Sequence, residues 1–238
     1  MFRALTVVMV ASAPSQCKLC CAATLLPPSP SSALDLPIVW HLAFHPAGTY
    51  LAVCRGLSSA NGTPYYDTTP DDVDRSSPAT TVTSPSIDVY SVGKNDVGWF
   101  HSLSLPTPSV HSRTVRCASF SSSGRWIAAA GFDGIVSVWS FPGAECVAAL
   151  EGHESEVKSV CWRGDRTVAT CGRDKTVWVW ERFDDSDGGE PEFECVAVLS
   201  GHAGDVKTIV FASDGVLLSG GYDGTVRAWA AGEADEAE

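Results

Sequence analysis

Short runs of alternating apolar and polar residues recur along the chain from Ile38 onward, separated by turns that contain glycine and aspartate. In residues 136–139, Val-Ser-Val-Trp, and 226–229, Val-Arg-Ala-Trp, an apolar side chain returns at every second position. Since successive side chains of a β-strand point to opposite faces, this period predicts strands with one buried face. Helical periodicity is essentially missing from the chain, so the pattern predicts an all-β, antiparallel fold.

The strands are grouped in units that begin at a histidine and end at a tryptophan. Three such units cover residues 111–139, 153–180 and 202–229, with their histidines 42 and 49 residues apart. Each unit contains an apolar strand, a second short strand, a turn with an aspartate and a third strand that ends in tryptophan. An acidic loop, residues 184–194, accounts for the longer second interval. Repetition at this period predicts similar sheets packed against one another.

An earlier unit, residues 38–92, has the same strands with an interruption. Residues 39–54 read as its first two strands and residues 86–92 as its third, with Tyr90 in the tryptophan position. Residues 56–85 are rich in Ser, Thr, Pro and Asp; we expect a flexible surface loop there, because this composition cannot bury enough apolar area to order itself. The predicted organisation is a leader or low-complexity tail at 1–37, repeats at 38–92, 110–140, 152–181 and 201–229, and an acidic tail at 230–238.

The unit resembles the WD40 repeat, in which a period of about 40 to 45 residues carries Gly-His near its start and Asp…Trp at its end, and four strands form one β-propeller blade. In such a blade the histidine, a serine or threonine, the turn aspartate and the tryptophan form a chain of hydrogen bonds. Ala129 replaces the hydroxyl in the unit at 111–139, so we expect that chain to be broken. Two sets are complete and, since repetition is what packing predicts, we interpret them as structural: His153, Thr170, Asp174 and Trp180, and His202, Ser219, Asp223 and Trp229.

The charge of the chain limits the ligands that it is expected to bind. There are 16 Lys and Arg against 28 Asp and Glu, which gives a net charge of −12. Nucleic acids and anionic membranes are bound by clustered basic residues, so neither is an expected ligand. No apolar run reaches the length of a membrane-spanning helix. Ten of the acidic residues lie in 184–194 and 230–238, which contain no Lys or Arg, so the rest of the chain is nearly neutral.

Nine cysteines are spread over the chain, most of them inside apolar, strand-like runs. This distribution favours reduced, packed thiols in a cytosolic protein. Cys17 and Cys20, with Cys21 beside them, resemble half of a zinc site, but no second pair follows at ligand spacing, so we expect no metal and no cofactor. Arg3 and the apolar run after it superficially resemble a secretory signal; an organelle transit segment and a misassigned start are the alternatives.

Several repeats carry a resemblance more specific than the WD40 pattern. The run EGHESEVKSV (151–160), followed by ATCGRDKTVWVW (169–180), is similar to one blade of the WD-repeat subunit of the cytosolic iron–sulfur protein assembly (CIA) targeting complex. Further segments that resemble this family are residues 39–49, 111–134, 193–211 and 222–229. The resemblance covers about residues 38–229 and implies blades one to four of a propeller that normally has seven.

The family resemblance implies a scaffold without catalytic chemistry, which helps deliver preformed iron–sulfur clusters to cytosolic and nuclear apoproteins. The implied partners are a HEAT-repeat adaptor, a MIP18-like subunit, an iron-hydrogenase-like carrier and the client apoproteins. The alternative is a WD40 scaffold of an unrelated complex, such as a ubiquitin ligase or an RNA-processing assembly. An enzyme is disfavoured because the chain lacks the G-x-S-x-G, H-E-x-x-H and phosphate-binding G-x-x-x-x-G-K motifs.

The candidate partner-binding residues are basic. The resemblance implies that Arg173, in an Arg-Asp-Lys turn, is an exposed functional position, with Lys175 beside it. A tight turn needs its aspartate but not an arginine, and an exposed guanidinium with its five donors suits an acidic partner or a terminal carboxylate. A solvated turn residue without a ligand is the alternative. Arg113 and Arg116 match a second basic motif of the family, R-T-V-R.

The number of repeats raises the question of whether the propeller forms a closed ring. Four blades of a seven-blade geometry would form an open arc, with apolar surface and unpaired strand edges at both ends. Three explanations fit that expectation: a truncated gene product, which we favour, a second chain that supplies the missing blades, and a closed ring of four.

Overall fold

The computed structural model describes residues 5–10, 19–25, 38–56, 86–92, 99–184, 191–212 and 215–230. Within these ranges the regular elements are β-strands and one 3-10 helix, which confirms the predicted all-β, antiparallel fold. The same ranges contain no helix long and apolar enough to cross a membrane. Three predicted features lie outside the described residues: Cys17, residues 57–85 of the predicted surface loop and residues 231–238 of the acidic tail.

The chain divides into two compact units, Met1–Val115 and Arg116–Glu238. The first unit begins with a two-stranded antiparallel sheet inside the segment predicted as a leader, formed by β1 (Leu5–Val10) and β2 (Leu19–Leu25). A four-stranded sheet with its strands in chain order follows: β3 (Ile38–Phe44), β4 (Tyr50–Gly56), β5 (Ser86–Val92) and β6 (Trp99–Leu105). The first three match predicted strands, and β6 lies beyond the predicted end of the repeat. The 3-10 helix η1 (Thr107–Ser109) comes next.

The second unit consists of three sheets whose strands also follow one another in chain order. The first two sheets have a fourth, outer strand that the histidine-to-tryptophan repeat did not define. The first sheet contains β7 (Val115–Phe120, which starts at the last residue of the first unit), β8 (Trp126–Gly131), β9 (Val136–Ser140) and β10 (Cys146–Leu150). The second contains β11 (Val157–Arg163), β12 (Thr167–Gly172), β13 (Thr176–Phe183) and β14 (Glu192–Ser200). The third contains β15 (Val206–Phe211), β16 (Leu217–Gly221) and β17 (Val226–Trp229).

Apolar side chains pack between the successive sheets of the second unit. One core contains Val138 of β9, Val157 of β11 and Trp180 of β13. The next contains Val177 of β13 and Ile209 of β15. The middle sheet is therefore covered on both faces, and all residues of β12 are buried. Burial on both faces explains why the sequence of β12, Thr-Val-Ala-Thr-Cys-Gly, shows no alternation between apolar and charged positions.

A β-bulge recurs near the start of the first strand in two neighbouring sheets. The register of β11 with β12 shifts around Lys158, and that of β15 with β16 shifts around Lys207. A bulge re-aims the side chain of its extra residue, and bulges are over-represented beside functional sites. The fold thus places two lysines at corresponding points of neighbouring sheets.

Candidate functional site

The turn after β12 is held by a chain of hydrogen bonds. His153 Nδ1 lies 2.6 Å from Asp174 Oδ2, and His153 Nε2 lies 2.8 Å from Thr170 Oγ1. The indole Nε1 of Trp180 donates to the same threonine oxygen at 3.0 Å. Burial would raise the pKa of the Asp174 carboxyl, but hydrogen bonds from His153 and Thr176 lower it. The carboxylate therefore stays charged where the turn needs an acceptor.

The sheet β15–β17 contains the same chain. His202 lies 2.8 Å from Asp223 Oδ2 and 2.7 Å from Ser219 Oγ, and Trp229 Nε1 donates to Ser219 Oγ at 2.8 Å. Hydrogen bonds from the backbone and side chain of Thr225 hold the pKa of Asp223 well below its usual range. Both ring nitrogens of this histidine are thus engaged in holding a turn.

The sheet β7–β10 satisfies its tryptophan in another way. Ala129 of β8 offers no hydroxyl, but Trp139 Nε1 donates at 2.7 Å to Ser137 Oγ on its own strand. Ser137 lies directly opposite Ala129 in the β8–β9 pairing, so its side chain occupies the same face of the sheet. The hydroxyl that the second strand lacks is thus supplied by the third strand, which the repeat pattern did not predict.

The sheet β3–β6 contains a buried ion pair that the sequence analysis missed. Arg55 Nε donates to Asp88 Oδ2 at 2.8 Å, and Arg55 Nη2 donates to the Tyr90 hydroxyl at 2.9 Å. Ser104 Oγ donates to the other oxygen of Asp88 at 2.6 Å and lies 3.0 Å from His101 Nε2. Among Asp88, Ser104 and His101, the serine and not the histidine contacts the aspartate. The arrangement therefore lacks the order of contacts that a catalytic triad requires.

The Arg-Asp-Lys turn has the same left-handed backbone as the equivalent turns, but with a lysine in place of glycine. Lys175 has a φ of 68°, in the left-handed region, where the neighbouring repeats have Gly134 (φ 86°) and Gly224 (φ 75°). A residue with a Cβ adopts this region at a cost of about 1–2 kcal/mol that glycine avoids. Asp174 Oδ1 accepts a hydrogen bond from the Thr176 N–H at 3.1 Å, which stabilises the turn. The turn therefore has no backbone requirement for a lysine.

Arg173 lies on the surface beside a buried carboxylate. Its Nη1 donates to Glu156 Oε1 at 3.2 Å and to Oε2 at 3.4 Å. The side chain of Arg173 is 46% exposed and that of Glu156 only 8%. Burial would raise the pKa of Glu156, but a hydrogen bond from Ser155 and the positive charges of Lys158 and Arg173 lower it to about 2. An anion thus orients the guanidinium while nearly half of the arginine side chain faces solvent.

Two lysines that the sequence predictions omitted lie near Arg173. Lys158 and Lys207, the bulged residues of β11 and β15, are both half-buried. Burial lowers the pKa of Lys158, and the charges around it are those of Glu156, Lys207, Asp205 and Arg173. We call Lys158, Arg173 and Lys207 the basic cluster. The Val-Lys pair that opens both strands is the sequence signal that could have identified its lysines.

Aromatic rings lie next to both lysines of the basic cluster. Lys158 Nζ is 5.0 Å from the centroid of the Phe132 ring, and Lys207 Nζ is 3.7 Å from that of Tyr222. Phe132, Arg173 and Tyr222 each precede the turn aspartate of their repeat. Cation–π attraction at these distances holds the two ammonium groups beside the turns.

The four predicted partner-binding residues occupy different parts of the structure. Lys175 shares an exposed turn with Arg173. Arg116 is the second residue of β7, the position that Lys158 has in β11. Arg113 belongs to the first unit and Arg116 to the second, and both are half-buried. Their roles in partner binding stay predictions.

Three cysteines of the second unit, Cys117, Cys161 and Cys171, have the environment of packing residues. Burial raises the pKa of Cys117 and Cys171, and it raises that of Cys161 to about 12. Cys146 and Cys195 each donate to the carbonyl two residues ahead, at equivalent points of β10 and β14. Thiolate is the form that binds metal, and a raised pKa keeps a thiol protonated. Among the described residues, no group of three His, Cys, Asp or Glu could hold a metal ion.

A family model matches three parts of the sequence. The family described as "WD domain, G-beta repeat" matches residues 103–140, 144–181 and 193–230. Each match begins in or just before the outer strand of one sheet and continues through the first two strands of the next sheet into or past its third. The outer strands β6, β10 and β14 are therefore part of the repeat.

Curated proteins similar to the chain are named for iron–sulfur protein assembly. "Probable cytosolic iron-sulfur protein assembly protein 1" of Malassezia globosa is 40% identical over 97 residues, 35% of this chain and 27% of that protein. The protein of the same name in Cryptococcus neoformans is 31% identical over 184 residues, 62% of this chain and 38% of that protein. A Caenorhabditis elegans protein, "Probable cytosolic iron-sulfur protein assembly protein CIAO1 homolog", is 45% identical over 75 residues, 30% of this chain and 22% of that protein. The chain spans well under half the length of these relatives.

Solved structures of WD40 proteins are similar in fold. The crystal structure of the RRP9 WD40 repeats and the structure of U3-55K each match 84% of this chain with a TM-score of 0.59 and 19% identity. The match covers 49% and 50% of those chains. The four-stranded sheets of this chain therefore have the fold of WD40 propeller blades.

Proposed function

Because this chain is built from WD40 repeats, we propose that it acts as a non-catalytic scaffold in cytosolic iron–sulfur protein assembly. The shared name of its relatives in Malassezia, Cryptococcus and Caenorhabditis supports this assignment. The observation that carries it is the Arg-Asp-Lys turn, in which Lys175 keeps a left-handed φ that the neighbouring repeats give to glycine. Backbone strain at an exposed side chain points to a function for that side chain.

In this proposal, Arg173 and Lys175 bind an acidic surface or a terminal carboxylate of a partner protein. Charge-assisted hydrogen bonds from a guanidinium are among the strongest that a surface can offer. Glu156 holds Arg173 in place, so less side-chain entropy is lost when a partner binds. Lys158 and Lys207 extend the positive surface, and Arg116 contributes at the equivalent position of β7. Arg113 is the remaining candidate contact.

The proposed partners are a HEAT-repeat adaptor, a MIP18-like subunit, an iron-hydrogenase-like carrier and the client apoproteins, in the cytosol and also in the nucleus. The chain contributes surfaces rather than cluster ligands. Two features support this part of the proposal. Desolvation raises the pKa of the thiols of Cys117, Cys161 and Cys171, and the repeat histidines His153 and His202 are engaged in holding turns.

Affinity purification of the tagged chain from cytosolic extract, with the captured proteins identified by mass spectrometry, tests the assignment. We expect iron–sulfur assembly proteins together with apoproteins that receive clusters. Capture of ubiquitin-ligase subunits or RNA-processing proteins in their place would contradict the proposal and support an unrelated WD40 scaffold. An iron–sulfur absorbance band in the purified, reconstituted chain would overturn the non-cluster-binding role.

A further inference from the structure

A groove lies between the outer strands of two neighbouring sheets in the second unit. Its volume is about 690 Å³, within the range of roughly 300–1,000 Å³ that is typical of ligand sites in proteins. Residues 147–150 of β10 form one wall, and residues 183–184 and 191–194, from the ends of β13 and β14, form the other. The groove contains no residue of the basic cluster or of the Arg-Asp-Lys turn.

One wall of the groove is a strand edge. Residues 147–150 of β10 line it, and the register of β10 with β9 shifts around Val147, so the strand carries a bulge at this point. β10 pairs with β9 on one side and is the last strand of its sheet in the part of the chain that the structure describes. A strand edge offers N–H and C=O groups to an extended peptide, which is the binding mode called β-augmentation.

Apolar side chains line the groove next to this edge. Val147 and Phe193 pack against the core between the two sheets and also line the groove. Phe193 is supported edge-on by Trp162, with ring centroids 6.3 Å apart. Phe183, which is 39% exposed, lies on the same wall as Phe193. Beside the strand edge, the groove therefore offers apolar contacts to every second side chain of an added strand.

The rim of the groove is acidic. Asp184, Glu192 and Glu194 line it and are exposed. Arg182 beside them is buried, and its Nη2 donates to Asp184 at 2.8 Å; the exposed Arg125 and Arg166 also act on Asp184 through their positive charge. This hydrogen bond lowers the pKa of Asp184.

We propose that this groove binds an extended segment of another protein in which basic and apolar residues alternate. The segment pairs its backbone with the edge of β10 and packs its apolar side chains on Val147 and Phe193. Its basic side chains meet Glu192 and Glu194, so the charges are complementary. The basic turn thus accepts an acidic partner, whereas the acidic groove accepts a basic one. The proposal for the groove does not depend on the function proposed for the turn.

A fluorescein-labelled peptide, Arg-Val-Lys-Leu-Arg-Val, tests the site by fluorescence anisotropy with the whole 238-residue chain. We expect saturable binding that weakens as salt is added, because exposed charges are screened. Two control peptides are expected to bind at least about tenfold more weakly. One is Glu-Val-Glu-Leu-Glu-Val, and the other is the basic peptide with every second backbone amide N-methylated.

Charge-reversal variants locate the binding. The double variant Glu192→Lys/Glu194→Lys is expected to bind the basic peptide at least about tenfold more weakly. Glu154→Lys makes the same kind of change at an exposed residue outside the groove, and its affinity should stay within about twofold of the unmodified chain. Circular dichroism of each variant checks that the sheets are intact.

Several results would overturn the proposal. They are a lack of saturable binding, equal binding of the acidic or the N-methylated peptide, and a loss in Glu154→Lys as large as that in the double variant. Sedimentation velocity gives a further one. A concentration-dependent dimer that Glu192→Lys/Glu194→Lys abolishes would assign the groove to a second copy of this chain instead of a basic partner.

Discussion

At Lys175 the backbone and the side chain have conflicting requirements. Its φ of 68° suits glycine, which occupies the equivalent positions 134 and 224. Lysine gains nothing in the turn from its Cβ, yet its ammonium adds positive charge beside Arg173. The sequence alone could place Lys175 next to Arg173, but it could not show the strain, because φ is a property of the folded turn. The structure adds a physical reason to assign this lysine a role at the surface.

Lys175→Gly is expected to raise the free energy of unfolding by about 1 kcal/mol. Removal of the Cβ relieves the left-handed strain, and the larger entropy of the unfolded glycine chain offsets part of the gain. Urea denaturation followed by tryptophan fluorescence measures the change. Lys175→Ala loses the charge but keeps the Cβ, so it is the matched control. A glycine variant no more stable than the alanine variant would contradict the strain.

Glu156 makes the stability of the second unit dependent on pH. Its pKa is lowered to about 2 in the fold, whereas an unfolded glutamate titrates near about 4.3. A lowered folded-state pKa contributes stability above the unfolded value and loses it as the pH falls from about 4 towards 2. Glu156→Gln should therefore lose less stability than the unmodified chain over this interval. Urea midpoints at pH 5, 4 and 3 measure the difference, and parallel decreases in both proteins would exclude the contribution.

At the scale of elements, the repeat pattern predicted the first three strands of each sheet but not the fourth. A histidine-to-tryptophan period ends at the third strand, so β6, β10 and β14 lie outside the predicted repeats. The buried Arg55–Asp88 pair was missed for a different reason. Arg55 precedes an insertion in the sequence, and only the pairing of β4 with β5 brings it to Asp88.

Ser137 provides a test of how a sheet compensates for a missing hydroxyl. Ser137→Ala takes the hydroxyl acceptor away from the buried Trp139 N–H, and we expect a loss of about 1–3 kcal/mol in the free energy of unfolding. Adding Ala129→Ser supplies a hydroxyl on the facing strand, at the place where β16 has Ser219, and should recover part of the loss. Urea denaturation of the single and double variants measures both effects. A double variant no more stable than Ser137→Ala would show that the facing strand cannot supply the acceptor.

At the scale of the molecule, a net charge of −12 conceals two surfaces of opposite sign in the second unit. Composition showed that the acidity is concentrated in residues 184–194 and the tail, and the family resemblance pointed to Arg173. Neither could show the basic cluster, because Lys158 and Lys207 come together only through bulges in neighbouring sheets. The groove was equally invisible in the sequence, since β10 and β14 meet only in the fold. Local patterns thus predicted the elements, while contacts between elements defined the surfaces.

Docking of partners at the Arg-Asp-Lys turn is tested by comparing partner recovery by the tagged chain with recovery by Arg173→Glu and Lys175→Gly. Glu145→Lys, at an exposed residue between β9 and β10, is the control for a charge change away from the turn, and quantitative mass spectrometry measures the captured proteins. We expect recovery of iron–sulfur assembly proteins to fall several-fold with both turn variants and to be unchanged with Glu145→Lys. The decrease is expected even though Lys175→Gly is the more stable protein. Unchanged recovery with both Arg173→Glu and Lys175→Gly would contradict the central claim that this turn docks partners.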